Sequence, residues 1–121
     1  MNKVFLLNDL LRDFESITPV KISAIVSRDG LMIASLIDLE DNEDNIAGLT
    51  ADITILSEKT MEQLLNSTVE KLIIDSKEGS IILIPAGEEA ILFTLVQDMK
   101  NLGVVLFNLG KLAKKIESIL K

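Results

Sequence analysis

The residues DNIAGLTADITILSEKTMEQLL, Asp44 to Leu65, decide how the rest of the chain is read. Placed on a helix at about 100° per residue, Leu49, Ile53, Leu56 and Leu64 gather within about 80° of Ile46 and form one apolar stripe. Ala47, Ala51, Ile55 and Leu65 fall roughly 100–180° round from Ile46 and form a second. The polar wedge left in the first half is narrow and holds mainly Asp52 and Lys59. A surface helix ordinarily hides one stripe, so a helix with two has two things to touch. One is the core of its own domain. The other is either more of that core or another molecule.

Working outward, Phe5, Leu6, Leu7, Leu10, Leu11, Phe14 and Ile17 recur at three- and four-residue steps and predict a helix over Asn2–Ile17. Asn2 suits its N-cap and Pro19 stops it. Val20–Ser27 alternates as a strand, with Val20, Ile22, Ala24 and Val26 on one face. Asp29-Gly30 suits a tight hairpin turn, and Leu31–Ile37 returns as the second strand. Asp38, Glu40, Asp41, Glu43 and Asp44 then crowd five carboxylates before the long helix. Clustered carboxylates suit a hard cation, but the glycine and terminal glutamate of an EF-hand loop are missing. The simpler reading is a solvated loop whose acids favour the positive end of the next helix.

Beyond the long helix, Asn66-Ser67 breaks the pattern and Glu70–Asp75 reads as a short strand framed by charge, an edge candidate. Lys77–Ser80 turns the chain, Ile81–Ile84 returns, and Pro85–Glu88 turns again. Ala90–Val96 is apolar except at Thr94, so it is expected to be central and covered on both faces. Leu102, Val105, Leu106, Leu109, Leu112, Ala113, Ile116 and Leu120 predict a closing helix over Asn101–Leu120. The order α-β-β-α-β-β-β-α without a linker or repeat predicts one α+β domain spanning residues 1–121.

Composition narrows the function. The 121 residues are 48% hydrophobic and 26% charged, as in an ordinary globular protein. No run is long enough to span a bilayer and no signal pattern opens the chain, so a cytoplasmic protein without direct membrane insertion is expected. A net charge of −7 and an aromatic complement of four Phe argue against nucleic acid. There is no cysteine and no histidine, which removes disulfides, thiolate metal sites and the usual general base.

Motifs that carry chemistry are scarce in the chain. Gly110-Lys111 has the ending of a phosphate loop, but Val105 stands where its first glycine belongs and Leu112 where Ser or Thr is needed. Gly103 and Gly110 are more simply close-packing or loop-to-helix residues. Ser23, Ser27 and Ser35 have no histidine to activate them. Arg28, beside the Asp29-Gly30 turn, could reach a partner's phosphate; an exposed turn arginine is the plainer reading. The expectation is a protein with no catalytic, cofactor or metal residues.

Several stretches together resemble the roadblock / dynein light chain family. They are Ser23–Ser35 as its first hairpin, Ile46-Ala47-Gly48-Leu49-Thr50-Ala51 as the opening of its central helix, Gly79–Gly87 as its second hairpin and Asn101-Leu102-Gly103 as the entry to its last helix. The resemblance implies a five-stranded antiparallel sheet, with the first and last helices on one face and the central helix on the other. It also implies a homodimer joined by third strands edge to edge and by central helices. Ala47, Ala51 and Ile55 would then make the helix contact, and Leu72, Ile73, Ile74 and Asp75 the strand junction. The partner it implies is a small Ras-like GTPase, regulated or scaffolded by the dimer. A small-molecule sensor or a motor-complex light chain subunit is the alternative, as is a heterodimer with a paralogue.

Overall fold

The computed structural model describes residues 2–36 and 42–121. Its elements are α1 (Lys3–Ile17), β1 (Ile22–Ser27), β2 (Met32–Ser35), α2 (Glu43–Leu65), β3 (Leu72–Ser76), β4 (Gly79–Ala86), β5 (Ala90–Val96) and α3 (Leu102–Leu120), with a 3₁₀ turn over Met99–Asn101. The five strands form one antiparallel sheet in the order β2-β1-β5-β4-β3. The near-continuous apolar run of β5 occupies the middle, and the charge-framed β3 an edge, as their sequences predict.

Alternation along each strand builds two cores. Ile25, Ile82, Ile84 and Leu92 point to one side and pack with Leu7, Leu11 and Phe14 of α1 and Val105, Leu109 and Ile116 of α3. Ala24, Leu83, Ile91 and Phe93 point to the other and meet Ala51 of α2. The first and last helices therefore share one face, and the central helix covers the opposite one.

Local chemistry sets the boundaries. The Asn2 side chain accepts from the Val4 amide at 2.9 Å and caps α1. Glu43 and Asp44 sit in the first turn of α2, where the helix dipole favours acids. Asn66 closes α2 in the left-handed conformation, its amide bonded to the Glu62 carbonyl. The acidic residues 38–41, and with them the cation reading of that loop, lie outside the described residues.

Several boundaries differ from expectation. β2 begins at Met32 rather than Leu31, so four residues, Arg28–Leu31, connect β1 to β2. The Gly30 amide bonds the Ser27 carbonyl at 3.0 Å and only Gly30 has positive φ, +85°. A turn followed by one left-handed residue needs glycine once, not at two positions. β1 begins at Ile22 rather than Val20, β3 starts two residues and ends one residue later than expected, and α3 starts at Leu102 after the 3₁₀ turn. β4 continues through Pro85 and Ala86, which pair with Ile91 and Ala90. Proline is tolerated there because β3 has already ended, its first pair being Leu72 with Leu83, so no ladder on that side needs a donor. Gly103 and Gly110 are not close-packing residues: a Cβ at either meets nothing within 4 Å.

Candidate functional site

The central helix carries the least expected feature. Its inward side holds Ala47, Thr50, Ala51 and Thr54, all buried. Its outward side holds Leu49, Ile53 and Leu56, the two leucines 61% and 63% exposed. The larger apolar side chains thus face away from the protein's own core. Near the C-terminal end Leu64 and Leu65 are also exposed, and a groove of about 540 Å³ runs among Leu56, Ser57, Thr60, Met61, Leu64 and Leu65.

Small inward residues explain the arrangement. The hairpin tip presses on α2 so closely that a Cβ built on Gly30 would lie 3.3 Å from Gly48 Cα and 3.9 Å from Ala51 Cβ. Bulky side chains at 47 or 51 would lift the helix off the sheet. The expected helix contact named Ala47, Ala51 and Ile55; in the single chain Ala47 and Ala51, at 0% and 3% exposure, are buried in its own core. Ile55 is half-buried on the flank. The apolar stripe of α2 that stays exposed is the Leu49–Ile53–Leu56 row.

At the sheet edge, Leu72 is half-buried against the α2-side core, while Ile73, Ile74 and Asp75 are exposed. Among the described residues β3 pairs with β4 alone, which leaves its other backbone edge without a strand partner there. Such an edge is a template for another strand unless blocked. The Asp75 carboxylate itself accepts from the Ser80 hydroxyl within the same hairpin. The pocket between the end of α2 and the start of β3 is lined by Met61, Val69 and Ile73 among others, which makes the helix end and the strand edge neighbours.

Arg28, the residue expected as a partner contact, is not a free hairpin-tip cation in the single chain. Its Nη1 pairs with Glu58 Oε1 at 2.5 Å and its Nη2 donates to the Gly87 carbonyl at 3.1 Å. The arginine is committed inside the chain. Sequence reasoning missed this because Glu58 and Gly87 are remote in sequence. Ser23 is likewise engaged, donating to the Glu15 carboxylate. No group of three or more His, Cys, Asp or Glu among the described residues has metal-holding geometry. No described helix is long and apolar enough to cross a membrane.

The described fold is an antiparallel sheet layered between one helix and two, with an exposed apolar row on the central helix and β3 at a sheet edge. Residues 6–97 match the Roadblock/LC7 domain model, and the chain belongs to that family. It is 25% identical over 114 residues to the uncharacterised protein MJ1340 of Methanocaldococcus jannaschii, covering 94% of this chain and 99% of that one. Among solved structures it resembles gliding protein MglB of Thermus thermophilus, with a TM-score of 0.86 and 15% identity over 98% of this chain and 91% of that one. It is also similar to a Roadblock/LC7 domain from Streptomyces avermitilis, with a TM-score of 0.84 and 17% identity over 93% and 96%.

Proposed function

We propose that the protein is a non-catalytic homodimeric platform that binds a small Ras-like GTPase and regulates or scaffolds it. The observation that carries the dimer is the outward row Leu49, Ile53 and Leu56 on a helix whose inward side is already filled. Three large aliphatic side chains left in water on one face are a standing cost that a second copy removes. Pairing of β3 edges would satisfy the open amides and carbonyls at the same time and run one sheet through both protomers. Ile74 shares the α2 side of the sheet with Leu72, two residues before it, which packs in the α2-side core. MglB, a neighbour in fold, is known in a tetrameric arrangement, which accords with a fold that self-associates.

Family membership supports the GTPase as partner, since that is what resemblance to roadblock proteins implies. Any catalysis would then be the partner's. This chain, with no histidine, would act by holding switch loops in one arrangement. The test immobilises the purified dimer and passes source-cell extract loaded with GDP or with a non-hydrolysable GTP analogue. Nucleotide-dependent retention of one small GTPase is expected. Equal retention in both states reduces the role to tethering, and retention of none overturns the reading.

A further inference from the structure

Charge in this chain is segregated. Residues 99–121 hold five lysines against the single carboxylate Glu117, a net of +4, whereas the other 98 residues hold 7 cationic and 18 acidic side chains, a net of −11. The positive segment is α3 and its flanks, on the sheet face opposite α2. On the helix wheel Val104, Phe107, Lys111, Lys114, Lys115 and Ser118 fall within about 100°, and all six are exposed. Val104 and Phe107 are large apolar side chains left in water. The Lys111 ammonium stands 5.4 Å from the Phe107 ring centroid. The ion pairs among the described residues, Arg12–Asp9 and Arg28–Glu58, involve none of these lysines.

We propose that the outward side of α3 is a docking face for an anionic lipid surface. Its cations are all lysines, compact charges on flexible stems. They lack the arginine fork that reads a fixed carboxylate constellation, and they suit a fluid layer of headgroups. Phe107 and Val104 beside them supply the apolar component that peripheral binding needs in addition to charge. Lysine stems reach past the aromatic ring, so charge meets headgroups while the ring enters the boundary below. Most of the acidic side chains lie off α3 and favour α3 down and α2 away from the lipid. On the shared sheet face α1 adds Asp9, Asp13 and Glu15 against Lys3 and Arg12, with Asp13 near Lys111 and Lys115, so the attraction is that of the α3 lysines. In the dimer proposed above, a sheet continuous through β3 puts both α3 helices on one side and doubles the face. That doubling rests on the dimer reading; the face of a single chain does not.

The test is co-sedimentation of the full chain with vesicles of phosphatidylcholine containing phosphatidylglycerol, against vesicles of phosphatidylcholine alone. Binding to the anionic vesicles only, weakened by added salt, is expected. A Lys111→Gln, Lys114→Gln, Lys115→Gln variant should partition about a hundredfold less, roughly fivefold per lysine. Phe107→Ser, at an exposed position, should weaken binding with the circular dichroism spectrum unchanged. Leu56→Glu, monomeric if the dimer reading holds, should still bind the anionic vesicles, only more weakly; its sedimentation reads the dimer separately. Equal binding to both vesicle types, full binding by the triple variant, or retention on polyglutamate but not on vesicles would each overturn the proposal.

Discussion

Arg28 and Glu58, thirty residues apart in sequence, meet at 2.5 Å between Nη1 and Oε1. Because Arg28 also holds the Gly87 carbonyl, one guanidinium ties the first hairpin to the middle of α2 and to the β4–β5 loop. At 24% and 30% side-chain exposure the pair is only partly screened by solvent. A double-mutant cycle with Arg28→Ala and Glu58→Ala should give a coupling of about 1 kcal/mol, above the usual exposed pair. Arg28→Lys should recover less than half of the loss from Arg28→Ala in denaturant unfolding, because lysine cannot span both acceptors.

Ala51 and Leu56 stand on opposite sides of one helix, and charge at each should fail differently. Ala51→Glu forces a carboxylate against Ala24, Leu83, Ile91 and Phe93 and should cost more than about 3 kcal/mol, read as lost cooperative unfolding. Leu56→Glu lies in solvent in the single chain and should leave secondary structure intact while removing self-association.

Glycines divide the same way. Gly110→Ala in mid-α3 meets open space and should stabilise by about 0.5–1 kcal/mol. Gly79→Ala would place its Cβ 2.8 Å from the Val96 carbonyl oxygen at φ +150° and should destabilise by more than that gain. Thermal unfolding of the two variants should shift in opposite directions.

Thr94 is fully buried in the central strand and its hydroxyl has no hydrogen-bond partner among the described residues. Thr94→Val exchanges an unsatisfied polar atom for a methyl of similar shape and should be neutral or stabilising by up to about 1 kcal/mol. A loss of stability would mean that the hydroxyl has a partner after all.

Element order, the central place of β5 and the edge place of β3 were legible because periodicity and flanking charge report burial directly. The two stripes of α2 were legible too, but not which one turns inward. Hydrophobicity alone would send Leu49 and Leu56 to the core. The close approach of Gly30 to Gly48 and Ala51 reverses that choice, and it is a tertiary distance that no local pattern encodes. Arg28 was hidden for the same reason, since its partners come from α2 and from a distant turn. The extent of β4 was obscured by Pro85, which reads as a turn until the strand beside it is known to have ended.

The central claim is that the Leu49–Ile53–Leu56 row and the β3 edge join two copies, and sedimentation equilibrium tests it most directly. The wild-type chain should sediment at twice its 13.3 kDa monomer mass, and a Leu49→Glu, Leu56→Glu variant at the monomer mass with its helical spectrum kept. A wild-type chain that stays monomeric, or a doubly substituted chain that stays dimeric, would contradict the account.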